Sequence, residues 1–160
     1  MVRSAATGCI AATASLALGC SGSNSAAADL PPGWEGATPL KSFSQAACSG
    51  SPLDPTAPAE SIDVTAVAGS IHVAYHHAQF RCEQAVEGFV RADSNTVAFL
   101  VQPKDMNPSN VAKCDCLYEI TMGADTMAGR TRVDVYRRWD HVGGNRSDPV
   151  KVGTVWVTVP

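Results

Sequence analysis

Cys114-Asp115-Cys116-Leu117-Tyr118-Glu119-Ile120-Thr121-Met122 is the stretch that decides the fold. Cys114, Cys116, Tyr118, Ile120 and Met122 share one parity, while Asp115, Glu119 and Thr121 share the other. Successive side chains of an extended chain point to opposite faces, so this period of two describes a strand with one face in a core and one in water. Outward from it, short β-branched runs recur at Ile62–Val67, Ser70–Cys82, Ala85–Ala92, Thr96–Gln102, Arg130–Trp139 and Val150–Val159. Ala68-Gly69, Asp93-Ser94-Asn95 and the stretches 103–110, 123–129 and 143–149 separate them, each carrying Gly, Pro, Asn or Asp, the residues that favour turns. No stretch holds a 3.6-residue period, so helix content is expected to be low.

Two details refine the strands. Val155, Val157 and Val159 lie opposite Thr154 and Thr158, which repeats the half-buried alternation in the last run. In the second run Ile71, Val73 and Tyr75 line one face, but Ala78, Phe80 and Cys82 fall on the other parity. One extra residue at His76-His77 would return both halves to the core, so the spacing predicts a β-bulge there. Runs of this number and spacing predict an all-β domain over 61–160, an immunoglobulin-like antiparallel sandwich of about seven strands.

The front of the chain reads differently. Arg3 is the only charge before Asp29, and the short, alanine-rich apolar stretch between them fits a secretory signal better than a membrane span of about twenty apolar residues. Leu16-Ala17-Leu18-Gly19-Cys20 resembles the lipobox of bacterial lipoproteins. The resemblance implies a signal peptide over 1–19, cleavage before Cys20, a lipid on its sulfur, and anchoring in the cell envelope, at the outer membrane or cell surface. From 20 to 60 the chain is rich in Ser, Ala, Pro and Gly, so a semi-extended tether is expected. Trp34, Leu40, Phe43 and Cys48 are the residues able to pin part of it to the domain.

Beyond the signal and Cys20, Cys48, Cys82, Cys114 and Cys116 remain, an even set that in an exported chain reads as two disulfides. A bond between Cys114 and Cys116 is disfavoured, because parallel side chains on one strand suit disulfide geometry poorly. Both are expected to bridge outward, one to Cys82 and one to Cys48. The alternative is a zinc or copper site built from His76, His77, Cys82, Cys114 and Cys116, with Met106, Met122 and Met127 as further copper donors.

Lys and Arg number 12 against 15 Asp and Glu, for a net charge of −3, which argues against a nucleic-acid binder. Arg130, Arg132, Arg137, Arg138, Arg146 and Lys151, with Tyr136 and Trp139 among them, suggest a surface for anionic glycans or lipid headgroups. Asp134, Asp140 and Asp148 are interleaved with them and favour an ordinary solvated hairpin face. The chain carries no G-x-S-x-G elbow, H-E-x-x-H helix, P-loop or dinucleotide fingerprint. A dispersed hydrolase site, with a histidine beside a nucleophile in a concave pocket, stays as a further alternative. The expectation is a non-catalytic binding or structural module with no cofactor, joined to the membrane through its lipid and partnered by a protein or envelope polymer. Cys114-Asp115-Cys116-Leu117-Tyr118 followed by Val133-Asp134-Val135-Tyr136 resembles a module of secreted and lipid-anchored bacterial proteins. That resemblance spans about residues 70 to 160, implies an immunoglobulin-like sandwich and brings no activity with it.

Overall fold

The computed structural model describes residues 29–105, 112–139 and 148–160. Among them the regular elements are all strands: β1 (Thr38–Pro39), β2 (Ser42–Gln45), β3 (Ser61–Val67), β4 (Ser70–Arg81), β5 (Val86–Asp93), β6 (Thr96–Pro103), β7 (Asp115–Asp125), β8 (Gly129–Arg137) and β9 (Val150–Val159). They form a five-stranded sheet in the order β1-β5-β6-β8-β9 and a four-stranded sheet in the order β2-β7-β4-β3. Every run expected from alternation is present, its ends shifted by no more than a few residues.

The inner faces of the two sheets supply one core. Ile71, Val73, Tyr75, Ala78 and Phe80 of β4 and Cys116, Tyr118, Ile120 and Met122 of β7 meet Val97, Phe99 and Val101 of β6 and Val133 and Val135 of β8. Each large aliphatic or aromatic side chain so buried contributes roughly 1.5–3 kcal/mol. Parity switches in β4 where expected: Tyr75 faces Ile120 and Ala78 faces Tyr118, so His76 and His77 together oppose Glu119. His77 takes φ 56° to make that bulge.

Two features depart from the expected plan. The pairing is antiparallel except between β6 and β8, which run parallel. The cause lies in the connections. The chain leaves the five-stranded sheet after β6, inserts β7 between β2 and β4, and returns as β8, so two reversals bring β8 back alongside β6 in the same direction.

The second departure concerns the tether, because the folded body begins before residue 61. β1 pairs with the edge of β5, and β2 pairs with β7. Pro39 is tolerated because an edge strand needs donors on one side only. Leu40 and Phe43 pack against the core over Gly88, whose absent Cβ would lie 2.5 Å from the Phe43 ring. Trp34 is only 4% exposed and packs with Phe89, Ala98 and Leu100 on the outer face of the five-stranded sheet. β6 is thereby buried on both sides, which its near-continuous apolar run Thr96-Val97-Ala98-Phe99-Leu100-Val101 suits. Strands of two and four residues in a Pro- and Gly-rich stretch are too short to show a period, so the sequence there reads as a tether.

Candidate functional site

The bulge aims its histidines at carboxylates on the outer face of the four-stranded sheet. His76 lies between Glu119, 2.5 Å from its Nδ1, and Asp63, 3.3 Å from its Nε2. The other Glu119 oxygen accepts the backbone N–H of His77 at 3.1 Å, so one carboxylate ties both bulged residues to β7. Burial pushes the Glu119 carboxyl up, but the His77 N–H, the His76 hydrogen bond and the charge of the two imidazoles together hold it below the usual carboxylate range. Alongside, Ser44 and Thr121 share a hydroxyl hydrogen bond of 2.8 Å across β2 and β7.

At the end of this face the two sheets part around a groove of about 590 Å³. Its walls come from β1 and β5 of one sheet and β2, β4 and β7 of the other, including Lys41, Ser42, Ser70, His72, Arg91 and Asp125. Ser42, Gly123 and His72 stand side by side on three neighbouring strands. A Cβ on Gly123 would sit 3.3 Å from both His72 Nδ1 and Ser42 Oγ, so the bare glycine leaves the gap between them open. The Ser70 hydroxyl and His72 Nε2 are 3.3 Å apart. Arg91 rests its guanidinium 5.0 Å from the Trp34 ring centre and donates to the Gly33 carbonyl, fixing one wall. These residues come from four distant stretches with no shared motif, and the linear spacing carried no signal of their meeting.

The cysteines pair as Cys48–Cys116 and Cys82–Cys114, with Cα separations of 5.8 and 5.5 Å. Cys114 and Cys116 both bridge outward, as the strand geometry requires. Of the residues of the metal alternative, Cys82, Cys114 and Cys116 are in disulfides in this arrangement and present no thiolate. His76 also stands six residues before Cys82, which directly follows β4, about 20 Å at strand rise, and contacts Asp63 and Glu119 instead. Among the described residues no group of His, Cys, Asp and Glu is arranged to hold a metal ion. Met122 is core and Met127 is exposed. Cys20, the signal stretch, Met106, Asp140 and Arg146 lie outside the described residues.

The basic residues of the β8 region separate into two groups. Arg137 turns to the end of the sandwich, where Glu60 accepts from it at 2.5 Å and also from the Tyr75 hydroxyl at 2.8 Å. Burial, with the Glu60 charge behind it, pushes the Tyr75 phenol up. Arg138 is buried and donates to the Asp29 carbonyl at 2.7 Å and the Gln102 side chain at 3.1 Å. Arg130, Arg132 and Lys151 instead lie on the outer face of the five-stranded sheet, around Asp134. That carboxylate, 2% exposed, accepts from Thr154 at 2.6 Å and pairs with Arg132 at 3.1 Å and Lys151 at 3.2 Å. Burial alone would raise its pKa; the Thr154 hydroxyl and the two cations outweigh it and hold the group below the usual range. Trp156, which the spacing did not single out, stands 48% exposed beside them, with Arg130 4.8 Å over its ring.

No family model, curated protein or solved structure matches the chain, so function is read from this geometry.

Proposed function

We propose that this chain is an envelope-anchored lipoprotein, held by a lipid on Cys20, whose sandwich is a non-catalytic binding module with the groove as its ligand site. The two disulfides are compatible with a location outside the cytoplasm, where thiols oxidise. The lipobox-like Leu16-Ala17-Leu18-Gly19-Cys20 supports the anchor. The carrying observation is the groove itself. Its volume of about 590 Å³ falls among small-ligand sites, and its walls present hydroxyls, an imidazole, two cations and a carboxylate. These polar groups are set among Pro39, Leu40, Val90, Ala92 and Ala124, so the lining suits a ligand that carries hydrogen-bonding groups on an apolar frame, an envelope-polymer fragment or a protein segment.

Intact mass of the protein purified from membranes tests the anchor: a diacylglyceryl-modified Cys20 at the N-terminus is expected, and an unmodified residue there overturns it. Amide NMR titration with soluble envelope-polymer fragments tests the groove. Shifts should gather at Ser42, His72 and Gly123, and Gly123→Val should weaken binding about tenfold by filling the gap. Shifts confined to another face would remove the groove from the proposal.

The Ser70–His72 contact favours a second reading, a hydrolase, because it places a hydroxyl beside a base inside a concavity. A triad also needs a group orienting the imidazole through its other nitrogen. Ester substrates decide it: turnover lost in Ser70→Ala supports hydrolysis, and equal background in both proteins ends it.

A further inference from the structure

Two independent observations meet on the outer face of the five-stranded sheet. The first is the position of Asp29. The Asp29 carbonyl is held on this face by Arg138 at 2.7 Å and by Gln102 at 3.4 Å, and Leu30 and Trp34 then cross β5 and β6. The nine links between positions 20 and 29 reach at most about 32 Å when fully extended. An anchor on Cys20 therefore keeps the sandwich within that distance of the bilayer, and the leash starts from this side of it.

The second is the chemistry of the half-face left bare beyond the Trp34 cover. Arg130, Arg132 and Lys151 project there with the exposed Trp156, and Asp134, the carboxylate among them, is buried beneath Arg132 and Lys151. Lys151 also lies 5.3 Å from the Tyr136 ring centre. Tryptophan settles at the headgroup level of membranes, and cations near an anionic leaflet each strengthen binding severalfold. On the opposite outer face Asp115 is paired with Arg81, and Asp63 and Glu119 face His76 and His77, so acids there match or outnumber the permanent cations.

We propose that Trp156, Arg130, Arg132 and Lys151 form a docking surface for an anionic lipid bilayer, laying the five-stranded sheet against the membrane that holds the anchor. The proposal rests on the lipid-anchor reading and adds an orientation to it. With this sheet downward, the groove, which opens between the sheet edges, stays accessible from the side.

The test uses the mature protein, whose mass reports the lipid on Cys20 and so judges the anchor separately. Reconstituted into phosphatidylcholine vesicles, or into phosphatidylcholine mixed with phosphatidylglycerol, each doped with brominated lipid, its tryptophan fluorescence reads depth. Quenching is expected on the anionic vesicles alone, and it should vanish in Trp156→Phe. It should fade near 0.5 M salt, where the Debye length is only about 4 Å. Arg130→Glu should cut the docked fraction by about an order of magnitude, reversing one charge at the surface. Both positions are exposed, and unchanged circular dichroism will show that the variants fold. Should acylated protein show no quenching, or equal quenching on neutral vesicles, the docking surface is wrong while the anchor stands. Should a soluble anionic polysaccharide shift Trp156 emission where brominated lipid does not quench it, the partner is a polymer and the lipid assignment falls. If the protein carries no lipid, the anchor reading fails, and sedimentation of the same protein with the same vesicles judges the surface on its own.

Discussion

The outer faces of the two sheets solve the same problem in opposite ways. The four-stranded sheet leaves its face open and makes it polar, with His72, Ser44, Thr121 and the Asp63–His76–Glu119 cluster exposed or half-buried. The five-stranded sheet carries Phe89, Ala98 and Leu100 on its outer face and needs a cover, which the segment around Trp34 supplies. Antiparallel sheets commonly face water on one side, whereas a strand apolar on both faces must be enclosed. Stability on the covered half comes from apolar packing beneath Trp34, and on the open face and around Asp134 from charged hydrogen bonds, while both disulfides are attached to the four-stranded sheet.

Removing the crosslink that secures the N-terminal segment breaks the comparison most severely. Cys48 and Cys116 are 68 residues apart, and a loop of that length implies about 4 kcal/mol of chain-entropy stabilisation. Urea unfolding of Cys48→Ala/Cys116→Ala should show a loss of that order; a loss below about 1 kcal/mol would mean the segment holds without its bond. Trp34→Ala strips the cover itself and should cost about 3 kcal/mol, with faster hydrogen exchange confined to β1, β5 and β6. If exchange quickens equally in β3 and β4, the cover is not local.

Smaller effects probe the charged groups. Asp134→Asn should cost about 2 kcal/mol, because Arg132 and Lys151 lose a buried partner. Asp134 and Glu119 are both held below their ordinary pKa values. A carboxylate depressed in the fold stabilises it above the unfolded pKa, and that contribution fades as pH falls through the folded one. Stability should therefore decline below about pH 4.5, and less steeply in Asp134→Asn; an unchanged acid limb would deny the pairing. Glu119→Gln, on the open and better solvated face, should cost no more than about 1 kcal/mol and loosen the amide of His77.

Much of the frame was legible because periodicity is a local property. Alternation in 114–122 marked β7, and the parity switch at His76-His77 marked a bulge that is present in the register. The pairing of Cys114 and Cys116 to different partners followed from strand geometry alone. The groove was not legible, since Ser42, His72, Arg91 and Gly123 approach only when two sheets stack and their edges part. Trp156 escaped notice for a related reason: one aromatic in a valine-rich strand is unremarkable until Arg130 arrives on the neighbouring strand.

Local order along the chain determined the all-strand class, the position of nearly every long strand and the kink in β4, because a pleated backbone sorts side chains by parity without reference to distant residues. Tertiary structure decided the parallel β6–β8 pair, the partner of each cysteine, the capture of residues 29–50 into the folded body and the gathering of the groove. These depend on which surfaces meet after the sheets form, and contacts between segments tens of residues apart leave no periodic trace in either segment.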